Sequence, residues 1–298
     1  MNRETNAGPQ RRQNVTVLRY LSFFSIIASF LLAALRILEL IIGLKDLNGF
    51  YTGPAALRVL GLLVLLFLIA AVITVCTRQR KQPLPKEFPP CDTFLLFGSV
   101  LTAFLLLAYL FFRPRVGVSL SALAAARSFA FLPTLLSTIF APAAAVYFLL
   151  YLFRSKPDKR LAGYLSFAPI LFLTFFLIGL YFDTSCALSN PIRIGTHMSA
   201  CFSLLYFAAE SRMLASEPKP ILLVMTGCLS VLVGVSSALP TISLSFILNK
   251  PMNLDSLYAG IEIGILVYTV SRLNSLLRVR KPSEPSAEEP EPPQEDNA

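Results

Sequence analysis

The chain has 298 residues, of which 55% are hydrophobic and only 14% are charged, and its net charge is +9. A soluble domain has about 25% charged residues, so this chain has too few to cover a soluble surface. The positive charge does not indicate nucleic-acid binding, because the basic residues stand in short clusters between apolar runs. These runs, such as 59–75, lack the period-two alternation of a barrel and predict membrane-spanning helices.

In chain order, the apolar runs predict an all-α polytopic membrane bundle of about eight transmembrane helices. The predicted spans lie near 20–44, 55–76, 93–112, 130–153, 162–182, 195–214, 221–240 and 256–275. The flanking parts are a cytoplasmic N-terminal segment, 1–19, and a tail, 281–298, after a bundle that fills 20–280. The tail is rich in acid and proline and is predicted to be disordered, since it has no large apolar residues to bury.

The distribution of lysine and arginine predicts the orientation of the spans. Most of these residues fall on one side when the eight spans alternate, which places both termini in the cytoplasm (N-in/C-in) by the positive-inside rule. One segment, 116–129, fits either an interfacial amphipathic helix or part of a span. If it belonged to a span, the orientation of everything downstream would change.

Charged residues gather towards the predicted outer end of the bundle. They come from five helices or helix ends: Arg36, Glu39, Arg58, Asp183, Arg193 and Glu262. Ionisable groups in a bilayer are costly and usually face the bundle interior or a cavity. The set therefore predicts an outward-facing polar pocket or, alternatively, ion pairs that fix helix packing.

Glu262 is the member that pairing explains least well. It stands between Gly260 and Gly264, which predict a face for close helix approach. Two residues correspond to about 200° of helical rotation, so the carboxylate points away from that face and needs another partner. At the inner end the sequence indicates no comparable set, since only Glu210 and Arg212 lie near it, and the spans look apolar at mid-depth.

The sequence also argues against several activities. One histidine cannot make a multi-histidine metal site, and no nucleotide-binding or serine-hydrolase motif occurs. No metal and no cofactor are therefore expected. Enzymatic chemistry would have to use carboxylates such as Glu39 and Glu262, and positioned acid–base groups are otherwise lacking.

Three stretches, ELIIGLKDLNGFYTGPAALRVLGLL, LIGLYFDTSCALSNP and YFAAESRML, resemble a group of small bacterial multi-spanning membrane proteins. The matching positions are Asp46, Gly49, Phe50, Phe182, Asp183, Thr184, Ser185, Glu210 and Arg212. The resemblance implies the bacterial cytoplasmic membrane and no particular chemistry.

These patterns favour a binding, sensing or accessory membrane protein whose partners are the lipid bilayer and a protein within it. The alternative is a small-solute or lipid transporter that uses the outer polar cluster. No internal repeat of the kind many transporters carry is evident.

Overall fold

The computed structural model describes residues 7–43, 55–80, 84–85, 87–116, 120–126, 128–153, 159–183, 188–215, 218–247 and 253–278. Every element in these ranges is a helix. The helices are α1 (Ala7–Gly43), α2 (Ala55–Arg78), α3 (Thr93–Val116), α4 (Leu120–Ala125), α5 (Phe131–Phe153), α6 (Lys159–Leu165), α7 (Phe167–Phe182), α8 (Pro191–Leu214), α9 (Pro220–Ile247) and α10 (Leu254–Leu277). The predicted tail and the first interhelical loop, including Asp46, Gly49 and Phe50, lie outside the described residues.

The described ranges contain seven helical segments long and apolar enough to cross a membrane. They are Val15–Gly43, Ala56–Arg78, Thr93–Arg115, Phe131–Leu152, Arg160–Phe182, Pro220–Ile247 and Leu254–Leu277. The prediction of an all-helical membrane bundle is therefore confirmed. The sixth predicted span is the difference: α8 has the length, at 24 residues, but its polar residues make it less apolar than the others.

Three stretches differ from the sequence-based prediction. The fifth predicted span is divided at Ser166 into α6 and α7, and Pro169 supplies the reason, since its nitrogen cannot donate to the carbonyl four residues earlier. In the segment 116–129, the described residues after Val116 form one short helix, α4, with no buried residue among its six. Helix α1 begins at Ala7, well before the predicted start at residue 20.

Helix α9 occupies the middle of the bundle and packs against α1, α2, α8 and α10. Around it, α3 packs on α10 and α5, and α7 joins α5 to α8. Helix α2 is peripheral. Among the described helices it packs substantially only against α1 and α9, and most of its apolar side chains are exposed. Its surface is therefore suited to hydrocarbon.

Helices α8 and α10 run parallel, side by side. Arg193 near the start of α8 bonds Asp255 near the start of α10, and Glu210 near the end of α8 bonds Arg272 near the end of α10. The two ends of the bundle are named here after these arginines. Under the predicted orientation, the Arg193 end is the outer end and the Arg272 end is the cytoplasmic one.

Glycine allows α3 and α10 to pack unusually closely. A Cβ built at Gly98 would lie 2.9 Å from the Cα of Tyr268, and one at Gly264 would lie 3.0 Å from the Cα of Thr102. Gly260, in contrast, has nothing within 4 Å of its Cβ position. Of the two glycines beside Glu262, only Gly264 thus mediates close helix approach.

Gly98→Ala is expected to destabilise the bundle, because the added methyl group meets backbone that cannot move aside. The overpacking should cost roughly 1–3 kcal/mol, and should outweigh the gain in helix propensity of about 1 kcal/mol. Gly260→Ala is the matched control and should be neutral or slightly stabilising. Thermal unfolding of the purified proteins in detergent measures both, and equal midpoints would contradict the close α3–α10 packing.

Candidate functional site

At the Arg193 end, one arginine ties three helices together. The guanidinium of Arg193 is fully buried and donates from Nε to Asp255 Oδ2 at 3.1 Å and from Nη2 to Asp183 Oδ2 at 2.8 Å. Its Nη1 donates to the carbonyl oxygen of Leu180, at 2.8 Å, and to that of Asp183. The arginine therefore fixes the end of α7 to the starts of α8 and α10, with two carboxylates against one guanidinium.

Half-way along α8 the chemistry changes from ion pairs to hydroxyl groups. Glu262 is fully buried, and its Oε1 accepts a hydrogen bond of 2.8 Å from Ser203 while its Oε2 accepts one from the Tyr258 hydroxyl. Ser203 in turn bonds Ser230 of α9 at 3.0 Å. Among the described residues, no cation forms an ion pair with this carboxyl group.

Backbone packing makes room for the Glu262 carboxyl group. A Cβ at Gly234 of α9 would lie 2.6 Å from Glu262 Oε1, so any larger residue there would displace the carboxyl group. Ser199 lies beside the same group on α8. Glu262 thus sits among hydroxyl groups of α8 and of its own helix, and Gly234 of α9 closes the pocket.

At the Arg272 end, a buried ion pair is surrounded by tyrosine. Arg272, 1% exposed, donates from Nε to Glu210 Oε1 at 3.0 Å and also hydrogen-bonds the Tyr151 hydroxyl. Tyr268 donates to the same Glu210 oxygen at 2.6 Å. The guanidinium lies 3.8 Å from the ring centroid of Phe88, a cation–π contact that also excludes water. This set contradicts the expectation that the inner end holds no comparable cluster.

The three contacts between α8 and α10 form a single series, called here the polar ladder. Its rungs are Arg193–Asp255, Ser203–Glu262 and Glu210–Arg272, with sequence separations of 62, 59 and 62 residues. Nearly constant separation is the geometry of two parallel helices in fixed register. The middle rung also overturns the expectation that the spans are apolar at mid-depth.

A crevice opens beside the ladder, between α1, α2, α8 and α9, with a cavity volume of about 80 Å³. Arg36 and Glu39 line it, joined by a 2.6 Å ion pair, and Arg36 also donates to the Pro191 carbonyl oxygen at 3.2 Å. Arg36 is 23% exposed and Glu39 only 2%. The buried Glu39 Oε1 has no hydrogen-bond partner among the described residues. The walls are mostly apolar: Leu32, Leu35, Leu40, Gly61, Leu62, Leu65, Ile194, Met198 and Val233.

The structure divides the six residues that the sequence singled out. Arg36 and Glu39 form one pair in the crevice, and Asp183 and Arg193 form another at the start of α8. Glu262 lies apart, on the middle rung. Arg58 is half-buried in the first turns of α2, one turn before the crevice residue Gly61.

Sequence reasoning missed Asp255, Arg272 and the hydroxyl groups around Glu262. A signal for them was present in the spacing. Polar residues recur along α8 every three or four positions, which places them on one helix face: Arg193, Thr196, Ser199, Ser203, Tyr206 and Glu210. A matching series on α10 comprises Asp255, Tyr258, Glu262, Thr269 and Arg272.

The apolar helices and the buried polar ladder are those of a multi-pass helical membrane protein that contacts the lipid bilayer. Comparison with protein-family models, curated proteins and solved structures finds no match. The function is therefore inferred from the geometry of the chain itself.

The Glu210–Arg272 rung predicts a strong, reciprocal mutational effect. Glu210→Gln leaves the buried Arg272 charge uncompensated and should cost about 3–5 kcal/mol of stability. The double variant Glu210→Gln/Arg272→Met removes both charges and should recover most of that loss, since paired removal of a buried ion pair is often neutral. A double-mutant cycle of thermal unfolding measures the coupling, and additive losses would contradict the pairing.

Proposed function

We propose that this protein is a membrane-embedded binding protein that takes an amphipathic ligand from the bilayer into the crevice between α1, α2, α8 and α9. The observation that carries the proposal is the buried Glu39 oxygen Oε1, which lines the crevice and has no donor among the described residues. A buried acceptor without a partner costs about 1–3 kcal/mol. A ligand that supplies the donor recovers that energy.

The chemistry of the crevice defines the ligand class. Glu39 requires a hydrogen-bond donor, such as an ammonium or hydroxyl group, while the part-exposed Arg36 guanidinium favours an anion. The polar end of the ligand therefore carries both, as a zwitterionic phospholipid headgroup does. A cavity of about 80 Å³ holds only the polar end. The alkyl chain lies against the leucines of α1 and α2, whose outer surfaces are exposed.

We further propose eight spans with both termini in the cytoplasm of a bacterial cell, in the cytoplasmic membrane. Support for an eighth span comes from the surface of α8. Its polar face is buried by α9 and α10, while its exposed residues form an apolar stripe until the last turn: Ile194, Cys201, Leu205 and Ala208, followed by Arg212. A helix that buries its polar face and exposes an apolar one is compatible with lipid.

The second candidate function is transport of a small solute or lipid. The polar ladder favours it, because the ladder continues along the whole of α8 and α10 and links the crevice end of the bundle to the opposite end. A bound ligand that crosses the membrane in vesicles reconstituted with the protein would establish transport, whereas binding without transfer supports the first function.

Binding in the crevice is tested by photocrosslinking. The purified protein, reconstituted in phosphatidylcholine vesicles, is exposed to a phosphatidylethanolamine probe with a photoactivatable acyl chain, and labelled peptides are mapped. Labelling of α1 and α2 should fall roughly tenfold or more in Arg36→Gln, since a charge-assisted hydrogen bond contributes about 1.5–3 kcal/mol. Unlabelled zwitterionic lipid should compete with the probe for the crevice of the unaltered protein. Glu39→Gln should specifically weaken that competition.

Arg115→Gln is the matched control, because Arg115 is an exposed arginine near the end of α3 at the same end of the bundle. It should leave labelling unchanged. If Arg36→Gln and Arg115→Gln label α1 and α2 as strongly as the unaltered protein, the crevice is not a headgroup site.

The number of spans is tested by reporter fusions at the two termini. With eight spans both termini lie on the same side, whereas with α8 outside the membrane seven spans would put them on opposite sides. A green fluorescent protein fusion should fluoresce at either terminus, and an alkaline phosphatase fusion should be inactive at both. Activity of the C-terminal phosphatase fusion would contradict the eight-span topology.

A further inference from the structure

We propose that the carboxyl group of Glu262 and its surrounding hydroxyl groups form a binding site for one exchangeable monovalent cation, a proton or Na⁺, at the middle rung of the polar ladder. The site is separate from the Arg36–Glu39 crevice. It does not depend on the binding function proposed for that crevice.

The composition of the site is the first argument. Three hydroxyl-bearing residues face the carboxylate, Ser199, Ser203 and Tyr258, and Ser230 bonds Ser203 behind them. Hard monovalent and divalent cations prefer oxygen ligands, and coupling-ion sites inside membrane proteins are built from such groups. With the two carboxylate oxygens, the pocket presents as many as five oxygens and a single negative charge.

The charge balance is the second argument. The other carboxylates of the ladder have an arginine partner: Asp255 and Asp183 bond Arg193, and Glu210 bonds Arg272. Glu262 has none among the described residues, although it is fully buried. An isolated buried carboxylate is too costly to persist, so the site must take up a cation or a proton.

The groups that face Glu262 leave it as the one acid of the pocket. From α8 it meets Ser199 and Ser203, and from α9 it meets Gly234, while Ser230 of α9 reaches it only through Ser203. Tyr258 of its own helix contacts it, and Tyr258 stacks on Phe176 of α7.

The hydroxyl groups allow the site to exist in both charge states. With the carboxylate ionised, Tyr258 donates to Oε2, Ser203 donates to Oε1, and Ser230 donates to Ser203. With the carboxyl protonated, its own O–H donates to Ser203, which donates onward to Ser230. Hydroxyl hydrogens rotate to suit either state, so the hydrogen bonds of the site can form in both charge states without any helix moving.

Thermal unfolding of the full chain in detergent tests the site. The unfolding midpoint is measured in NaCl and in choline chloride at equal ionic strength, from pH 9 to pH 6. The folded protein holds a proton or Na⁺ that the unfolded chain does not, so ligand binding stabilises it. A Na⁺ site raises the midpoint by roughly 5 °C at pH 9 when Na⁺ is about 100-fold above its Kd. A proton site gives no Na⁺ effect, and the midpoint instead rises as the pH falls.

Glu262→Gln should abolish either response, whereas Glu87→Gln, which alters an exposed carboxyl group ahead of α3, should retain it. Ser203→Ala keeps the charge but removes one oxygen, and should raise the Na⁺ concentration at half-effect by at least roughly tenfold. A proton site is also visible in infrared spectra, as a carboxylic-acid band that disappears at high pH and is absent from Glu262→Gln.

Two results would overturn the proposal. In the first, the difference in unfolding midpoint between the unaltered protein and Glu262→Gln depends on neither Na⁺ nor pH, and the carboxylic-acid infrared band persists at pH 9. This would make Glu262 a permanently neutral packing residue. The other is a Na⁺ response of equal size in Glu262→Gln, which would place the cation elsewhere. If Glu262→Gln fails to fold, Ser203→Ala and the infrared titration of the unaltered protein still decide between exchange and permanence.

Discussion

The architecture depends on one constraint, which is that charge inside hydrocarbon must find a partner within the bundle. Helix α8 carries more charge than an apolar span usually does, and α10 provides the complementary groups in parallel register. Because the rungs repeat at nearly equal sequence separation, a shift of α10 by one turn would misalign all of them. The polar ladder therefore fixes the axial position of the two helices, a task that apolar packing alone performs weakly in lipid.

Around the ladder, the remaining helices solve a different problem. They shield polar atoms from lipid, and they do so with aromatic rings at the Arg272 end and with glycine at the α3–α10 contact. Helix α9 provides a polar surface and an apolar one. Its Ser230 and Gly234 lie at the centre of the bundle, and its apolar side chains pack against α1. Polar specificity and close packing are thus provided by the same few helices, while α2 stays at the periphery facing lipid and forming one wall of the crevice.

The sequence predicts the helices well because span length and hydropathy are local properties, as the agreement of α2, α3, α5 and α10 with their predicted spans shows. It also predicts that Arg36 and Glu39 meet, since residues three apart share a helix face. It did not predict Arg193–Asp255 or Glu210–Arg272, because such pairs depend on which helices become neighbours, and hydropathy contains no information on that. The burial of Arg272 depends on the same tertiary contacts, so the sequence did not predict it either.

The ladder has a consequence for how the chain is made. Helix α10 is synthesised after α8 and α9, and until it arrives Glu210 lacks Arg272, and Arg193 has Asp183 but lacks Asp255. A ribosome that stops after α9 therefore releases a chain in which the Glu210 carboxylate has no Arg272 beside it, and membrane quality control should recognise such a chain.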